Sequence, residues 1–149
     1  MNAFYADIHD TINRCGHKLL AVAANPPFVY TIGLHEQVGF ELLCVGLSVS
    51  SPRALMYTEI MMNMIAASIK DIKLGVPTDE FTNHPIILQR CTVDTHKLHD
   101  DYVIQADRYY DTKVDVVQIV LADRNGVLPG QPLFDDEYMR PRQPLFCKL

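Results

Sequence analysis

The segment Asn25-Pro26-Pro27 separates two short apolar runs and restricts the fold of the N-terminal third of the chain more than any other feature. The first run covers residues 17–24, and the second, rich in β-branched and aromatic side chains, covers residues 28–34. Two consecutive prolines fix φ and remove two backbone donors, so regular structure breaks there. Two runs of strand length on either side of such a break predict an antiparallel hairpin.

Helix-like and strand-like patterns continue along the rest of the chain. Apolar residues recur every four positions from residue 4 to residue 12 and predict a short helix that ends near Gly16. The pair Ser51-Pro52 predicts the start of a long helix running to about Lys73, because a hydroxyl cap followed by proline favours a helix start. Further strands are predicted over residues 42–47, 86–93 and 114–121, and a further helix over residues 100–111.

The order of these elements is α-β-β-β-α-β-α-β. It predicts the α+β class, with a mainly antiparallel sheet and helices packed on one face. The length of 149 residues predicts a single domain. From Leu128 onward there are four prolines and no apolar period, so residues 128–149 are predicted to form an irregular C-terminal arm. This arm would pack on its own domain, the simpler arrangement, or on another subunit of a homo-oligomer.

Charge and composition exclude several classes of partner. The chain has 13 basic and 18 acidic side chains and a net charge of −5, so a surface that tracks duplex nucleic acid is not expected. The most apolar stretch is too short and too polar for a bilayer, and the first residues lack the features of a signal peptide. The 4 cysteines show no paired spacing, which favours reduced thiols and a cytoplasmic protein. No cofactor is expected.

The first candidate ligand site is formed by Tyr30, Thr31 and Gly33. Thr31 and Gly33 lie on one face of a strand, where a glycine beside a hydroxyl would let a ligand approach the backbone. The alternative is structural: Gly33 accommodates a neighbouring aromatic ring, and Thr31 is an ordinary strand residue. His35 follows the strand and adds a side chain suited to acid–base chemistry.

The second candidate site is the turn that begins with Asp123 and Arg124. The guanidinium group of Arg124 could bind a phosphate or carboxylate, with Asp123 orienting it. An ordinary turn has the same composition, since Asn125-Gly126 suits positive φ. If both candidates belong to one site, Arg124 points into a concavity lined partly by residues 30–33.

A third candidate is a metal site at two histidines. His96 and His99 are three residues apart among aspartates, which would suit a divalent metal on one helical turn. Structural zinc usually shows tighter pairing, so a polar loop explains them more simply and no metal is assigned.

No motif of a known enzyme class is present: there is no nucleophile elbow, phosphate-binding loop or dinucleotide fingerprint. The absence of a motif does not exclude an enzyme, because active sites assemble from residues distant in sequence. A hydrolase would use Asp123, His35 or Glu41 around Tyr30 and Thr31.

Two sets of short motifs stand near the two ends of the chain. Residues 26–34 read PPFVYTIGL, residues 123–129 read DRNGVLP, and residues 143–145 read QPL. Together they resemble the bacterial and phage family catalogued as domain of unknown function 4262, whose pattern includes PPF-x-YT-[IV]-GL, D-R-x-G-x-x-P and QPL. Residues 39–42 lack the His and Pro of the family's HPEL motif, and Gly130 stands where the family tends to have Trp. The resemblance implies a shared fold and supplies no reaction, cofactor or catalytic residue.

The functional hypothesis is a non-catalytic protein that binds a small anionic molecule. It depends on the absence of a catalytic set, the glycine-interrupted strands and the arginine-bearing turn. The occurrence of the family in phages suggests a narrower form, a counter-defence sponge that sequesters a nucleotide signal. The alternatives are a hydrolase acting on a small anionic substrate and a structural or interaction protein. The predicted ligand-binding residues are Tyr30, Thr31, Gly33, His35, Asp123 and Arg124.

Overall fold

A five-stranded sheet forms the centre of the computed structural model, which describes residues 2–46 and 52–149. The strands are β1 (Lys18–Val22), β2 (Phe28–Ile32), β3 (Glu41–Val45), β4 (Ile86–Arg90) and β5 (Val116–Leu121). The helices are α1 (Ala3–Cys15), α2 (Leu34–Val38), α3 (Pro52–Ala67), α4 (Thr95–Asp101), α5 (Ile104–Tyr110) and α6 (Asp136–Met139).

The strand order is β1-β2-β3-β5-β4, and the α+β class is confirmed. β1 and β2 form the predicted antiparallel hairpin, with Lys18 opposite Ile32 and Val22 opposite Phe28. β3 is antiparallel to β2, and β4 is antiparallel to β5. β5 runs parallel to β3, so the sheet is mixed rather than purely antiparallel. The parallel pair arises because β5 returns beside β3 only after a long connection that contains α3 and β4.

Helices cover both faces of the sheet rather than the single face expected from the sequence. Alternate residues of β2 belong to two apolar clusters: Phe28 packs with residues of α1, α4 and α5, and Val29 packs with residues of α3. Every residue of β2 and β3 is buried, as expected for central strands with both faces covered.

Three element boundaries differ from the sequence-based expectations. The apolar run over residues 28–34 predicts a strand to Leu34, but β2 ends at Ile32 and residues 34–38 form the short helix α2. The helix expected over residues 100–111 is two helices, α4 and α5, separated near the buried Val103. α3 ends at Ala67 instead of Lys73. The predicted cap at Ser51 lies outside the described residues.

The C-terminal arm packs against its own sheet. The side-chain amide of Gln118 on β5 donates to the carbonyl of Pro144 at 2.9 Å and accepts from the backbone N–H of Phe146 at 2.9 Å. The Phe146 ring is buried in the cluster that contains α1, α4 and α5. In the described ranges, no helix has the length and apolar character needed to cross a bilayer.

Candidate functional site

The predicted site residues lie at opposite ends of the sheet. Residues 30–35 are at the carboxyl end of β2, which is the amino end of its antiparallel neighbour β3. Asp123 and Arg124 follow the carboxyl end of β5, which is parallel to β3, and therefore lie beyond Gly46 at the other end. The condition that would unite the two candidates in one concavity is not met.

Glu41 organises the first end of the sheet. Its carboxylate is fully buried and accepts a hydrogen bond from the Thr31 hydroxyl at 2.8 Å. It also accepts from three consecutive backbone N–H groups, those of residues 33, 34 and 35, at 2.9, 3.0 and 3.1 Å. These donors would otherwise be unpaired at the start of α2. Glu41 thus joins β2, β3 and α2 through one side chain.

The electrostatics of this end follow from burial. Burial raises the pKa of Glu41 to about 7, although the hydrogen bonds from Gly33, Thr31, His35 and Leu34 oppose the rise. The pKa of Tyr110 is raised as well, first by its own burial and then by the charge of Glu41. A carboxyl group with no exposed surface does not meet a substrate, so these shifts describe a buried structural charge.

The close approach expected at Gly33 is present, and the neighbour is the chain itself. Gly33 has φ +121°, and a Cβ atom there would lie 2.7 Å from the carbonyl oxygen of Gly16 and 2.9 Å from Cα of His17. Tyr30 is buried, and its hydroxyl accepts from the backbone N–H of Gln105 at 3.1 Å. These contacts favour the structural interpretation of Tyr30, Thr31 and Gly33.

His35 lies at the edge of the same region. Its ring packs on Tyr110 with the ring centroids 4.6 Å apart, and the Tyr110 hydroxyl donates to Glu36 at 3.1 Å. Among the buried side-chain nitrogen and oxygen atoms of the described residues, one has no hydrogen-bond partner: Nδ1 of His35.

Asp123 fixes the loop at the second end of the sheet. One carboxylate oxygen accepts from the backbone N–H groups of Asn125 and Val127, and the other from that of Asp135, each at 2.9 Å. The hydrogen bonds from Val127 and Asp135 are the main reason that the pKa of Asp123 is lowered. Asp123 therefore shapes the loop and ties it to the C-terminal arm. The carboxylate that pairs with Arg124 is Asp135, at 3.2 Å.

Arg124 lies beside a cavity together with Tyr138 and Arg142. The guanidinium carbons of both arginines lie 3.8 Å from the centroid of the Tyr138 ring. Two guanidinium groups this close to one centroid would collide on the same face, so they occupy opposite faces. The cavity has a volume of about 240 Å³. Its lining includes these three residues, His84 and Asp123, and the apolar residues Met61, Ile86, Leu121, Ala122 and Met139.

The two arginines retain hydrogen-bonding capacity. Arg124 donates from Nη2 to Asp135, and Arg142 donates from Nη1 to the carbonyl of Tyr138 at 2.7 Å. Within residues 2–46 and 52–149, no carboxylate forms an ion pair with Arg142. A guanidinium group has five N–H donors, so both side chains can bind a further acceptor. The sequence analysis identified Arg124 but not Arg142 or Tyr138. The clustering of basic residues in the C-terminal arm is the sequence feature that could have indicated Arg142.

The remaining candidates do not assemble into one centre. His96 pairs with Asp100, and His99 pairs with Asp107, at 2.9 and 2.7 Å. Both histidines lie on α4 rather than in a loop. The described segments contain no group of three His, Cys, Asp or Glu side chains arranged to hold a metal ion.

Comparison with known proteins gives a family and no described activity. No curated protein and no solved structure matches the chain. The model of the family described as a domain of unknown function, DUF4262, matches residues 11–135, which is most of the chain and includes the first arginine of the cavity. The chain therefore belongs to the DUF4262 family.

Proposed function

We propose that this protein binds a small anionic ligand in the cavity beside Arg124 and Arg142 and releases it chemically unchanged. One observation carries the proposal: both guanidinium groups are held 3.8 Å from the centroid of a single ring, that of Tyr138, at the edge of a cavity of about 240 Å³. The described contacts thus support a pair of cationic donors held in position by stacking.

Stacking makes the arginines suitable for this role. Contact of a guanidinium group with an aromatic face contributes about 0.5–1 kcal/mol at an exposed site. It also restricts the side chain before a ligand arrives, which lowers the entropic cost of binding. The edges of the two groups carry the N–H donors, and charge-assisted bonds to phosphate or carboxylate oxygens are stronger than neutral ones.

The local charges favour Arg142 as the stronger contact. Arg124 shares its charge with Asp135, at 3.2 Å. Asp123 also lines the cavity, but its oxygens accept three backbone hydrogen bonds. Arg142 is exposed, and its guanidinium group donates to a neutral oxygen, the backbone carbonyl of Tyr138.

A binding function is favoured over hydrolysis because the residues that a hydrolase would use are separated. Asp123 lines the cavity, whereas His35 and Glu41 lie at the opposite end of the sheet. Sequestration of a nucleotide signal is a narrower form of the proposal: a nucleotide carries both an anionic group and a planar base.

Calorimetric titration with inorganic phosphate and adenosine monophosphate tests the proposal. We expect Arg124→Ala and Arg142→Ala each to weaken binding about tenfold or more, as expected for the loss of a charge-assisted hydrogen bond. The matched control is Arg14→Ala, which removes an exposed arginine from α1, away from the cavity. Absence of binding, or an equal loss in the control, would overturn the proposal. Chromatography of the recovered nucleotide separates binding from hydrolysis.

Association of two copies is a second candidate, supported by the outer face of α3. Four large side chains on this helix are about half exposed: Met56 at 50%, Tyr57 at 58%, Ile60 at 48% and Met64 at 45%. Met56 and Met64 are each four residues from Ile60, so an antiparallel pairing of two α3 helices would set Ile60 against its own copy. Light scattering across a concentration series tests this. Ile60→Glu should shift the mass toward the monomer, and Glu59→Gln serves as the control.

A further inference from the structure

The cavity beside Arg124 and Arg142 combines two kinds of surface. Its edge carries the two guanidinium groups, and its wall contains apolar side chains, among them the buried Met61, Ile86 and Met139. The apolar lining adds no affinity for an inorganic anion, because the hydrophobic effect stabilises only complexes in which the ligand also buries apolar surface.

We infer that the preferred ligand is an amphiphilic anion: one planar apolar ring system joined to one phosphate or carboxylate group. This inference rests on the proposed function and specifies its ligand class. The anionic group binds the N–H edges of Arg124 and Arg142. The ring enters the apolar part of the cavity between these arginines and the methionines.

Two features favour a ring over an aliphatic chain. Tyr138 covers one face of each guanidinium group, and the opposite face can stack on a further aromatic ring. Met61 and Met139 supply thioether sulfurs, which contact aromatic ring edges favourably. The same side chains adapt to irregular shapes, so the site suits a class of rings more than one compound.

The volume limits the size of the ligand. At about 240 Å³, the cavity lies below the range of roughly 300–1,000 Å³ typical of pockets that enclose drug-sized ligands. A single ring with one anionic group fits this space, and a nucleoside monophosphate is the upper end of the class. A cyclic dinucleotide is too large to be enclosed by the described residues.

Titration of the unmodified protein with four probes tests the inference: inorganic phosphate, cyclohexyl phosphate, phenyl phosphate and a cyclic dinucleotide. We expect phenyl phosphate to bind at least tenfold more tightly than inorganic phosphate, and more tightly than cyclohexyl phosphate, which has similar size without an aromatic face. The cyclic dinucleotide should show no such gain. Equal affinities for phenyl phosphate and inorganic phosphate would overturn the inference.

A cavity-filling variant separates the ring from the anionic group. Ala122 lines the cavity, and Ala122→Phe should lower the ratio of the affinity for phenyl phosphate to the affinity for inorganic phosphate to about one. The matched control is Ala23→Phe, at an exposed position outside the cavity lining. If phosphate binding depends on Arg142 but phenyl phosphate gains nothing, the ligand class is wrong and the proposed function stands. If no probe binding depends on the arginines, the proposed function fails as well.

Discussion

The hydroxyl of Thr31 donates to the carboxylate of Glu41 at 2.8 Å and accepts from the backbone N–H of Leu42 at 2.8 Å. Thr31 and Glu41 are both fully buried. A single hydroxyl therefore satisfies an acceptor and a donor at the point where β2 and β3 separate. An intact hydrogen bond of this kind adds only modestly to stability. Removing one partner destabilises the protein more, because the remaining group stays buried without a partner.

Thr31→Val should destabilise the protein by about 2–4 kcal/mol, since it keeps the shape of the side chain but leaves two buried polar groups without this partner. The control is Thr11→Val, because the Thr11 hydroxyl donates to a carbonyl one turn earlier in α1 at an exposed position. Urea unfolding of both variants measures the difference. Similar losses for Thr11→Val and Thr31→Val would contradict the role assigned to the buried hydroxyl.

The buried charge of Glu41 should make stability depend on pH. Because the pKa is raised from 4.5 to about 7 in the folded protein, the folded state holds the proton more tightly than the unfolded state. Stability contributed by this group is present below about pH 4.5 and is lost as the pH rises to about 7. Over this whole pH range, the free energy of unfolding contributed by Glu41 falls by about 3 kcal/mol.

Unfolding free energies at pH 5 and pH 7.5 measure this effect. Glu41→Gln should lose the corresponding pH dependence, and Glu36→Gln, at an exposed position two residues after Leu34, should keep it. The carbon chemical shift of the Glu41 carboxyl in the unmodified protein provides a second measurement that needs no variant. Titration of that carboxyl at an ordinary glutamate pKa would show that the hydrogen bonds outweigh burial.

Gly33→Ala should be much more damaging than Gly39→Ala, although both glycines have positive φ, +121° and +85°. The left-handed region costs a non-glycine residue about 1–2 kcal/mol, and both variants incur that cost. At Gly33 a Cβ would also overlap the carbonyl oxygen of Gly16 at 2.7 Å, whereas at Gly39 nothing lies within 4 Å. The overlap should add about 1–3 kcal/mol. Equal melting temperatures would refute the close approach.

Short-range patterns predicted the parts of this fold that neighbouring residues determine. The Asn25-Pro26-Pro27 break and the runs beside it specify the β1–β2 hairpin, and a glycine within the second run indicated the close backbone approach found at Gly33. The parallel pairing of β3 with β5 could not be predicted in this way. It depends on how a long connection packs, and β3 and β5 are mostly apolar and buried on both faces, a pattern that central strands show whichever way their neighbours run.

The candidate site shows the same limit. The sequence identified Arg124 from its turn, but Arg142 lies 18 positions further along an arm without periodicity. The two meet only because Tyr138, on the short helix α6, lies between them. From the sequence, the hydroxyl of Thr31 and the glycine at position 33 were interpreted either as a place where a ligand approaches the backbone or as ordinary structural residues. Their partner Glu41 explains them, and that contact joins residues on different strands.

Leu133 is an exposed residue whose replacement should stabilise the protein. Its side chain is 91% exposed and its φ is +73°, a conformation that asparagine tolerates better than leucine. Leu133→Asn should raise the unfolding free energy by up to about 1 kcal/mol. Leu149→Asn, at an exposed position without positive φ, should leave it unchanged. A loss of stability in Leu133→Asn would show that the leucine side chain makes a stabilising contact.

Lysine substitutions should show whether the arginines act through charge alone. Arg142→Lys keeps the positive charge but loses the planar face that stacks on Tyr138 and the forked donors. We expect it to recover only part of the affinity for phenyl phosphate that Arg142→Ala loses. Arg124→Ala should cost less than Arg142→Ala, because Asp135 already shares the charge of Arg124 at 3.2 Å.

Asp135→Asn should strengthen ligand binding, whereas the arginine variants should weaken it. It removes the competing carboxylate while an amide oxygen can still accept from the backbone N–H of Tyr138, as Asp135 does at 3.3 Å. Affinity for phenyl phosphate should therefore rise several-fold, and the rise should disappear when Arg124→Ala is added. Titration calorimetry of the single and double variants, with melting temperatures to confirm folding, measures this coupling. An unchanged affinity in Asp135→Asn would mean that Arg124 does not contact the anion, and binding would then depend on Arg142 alone.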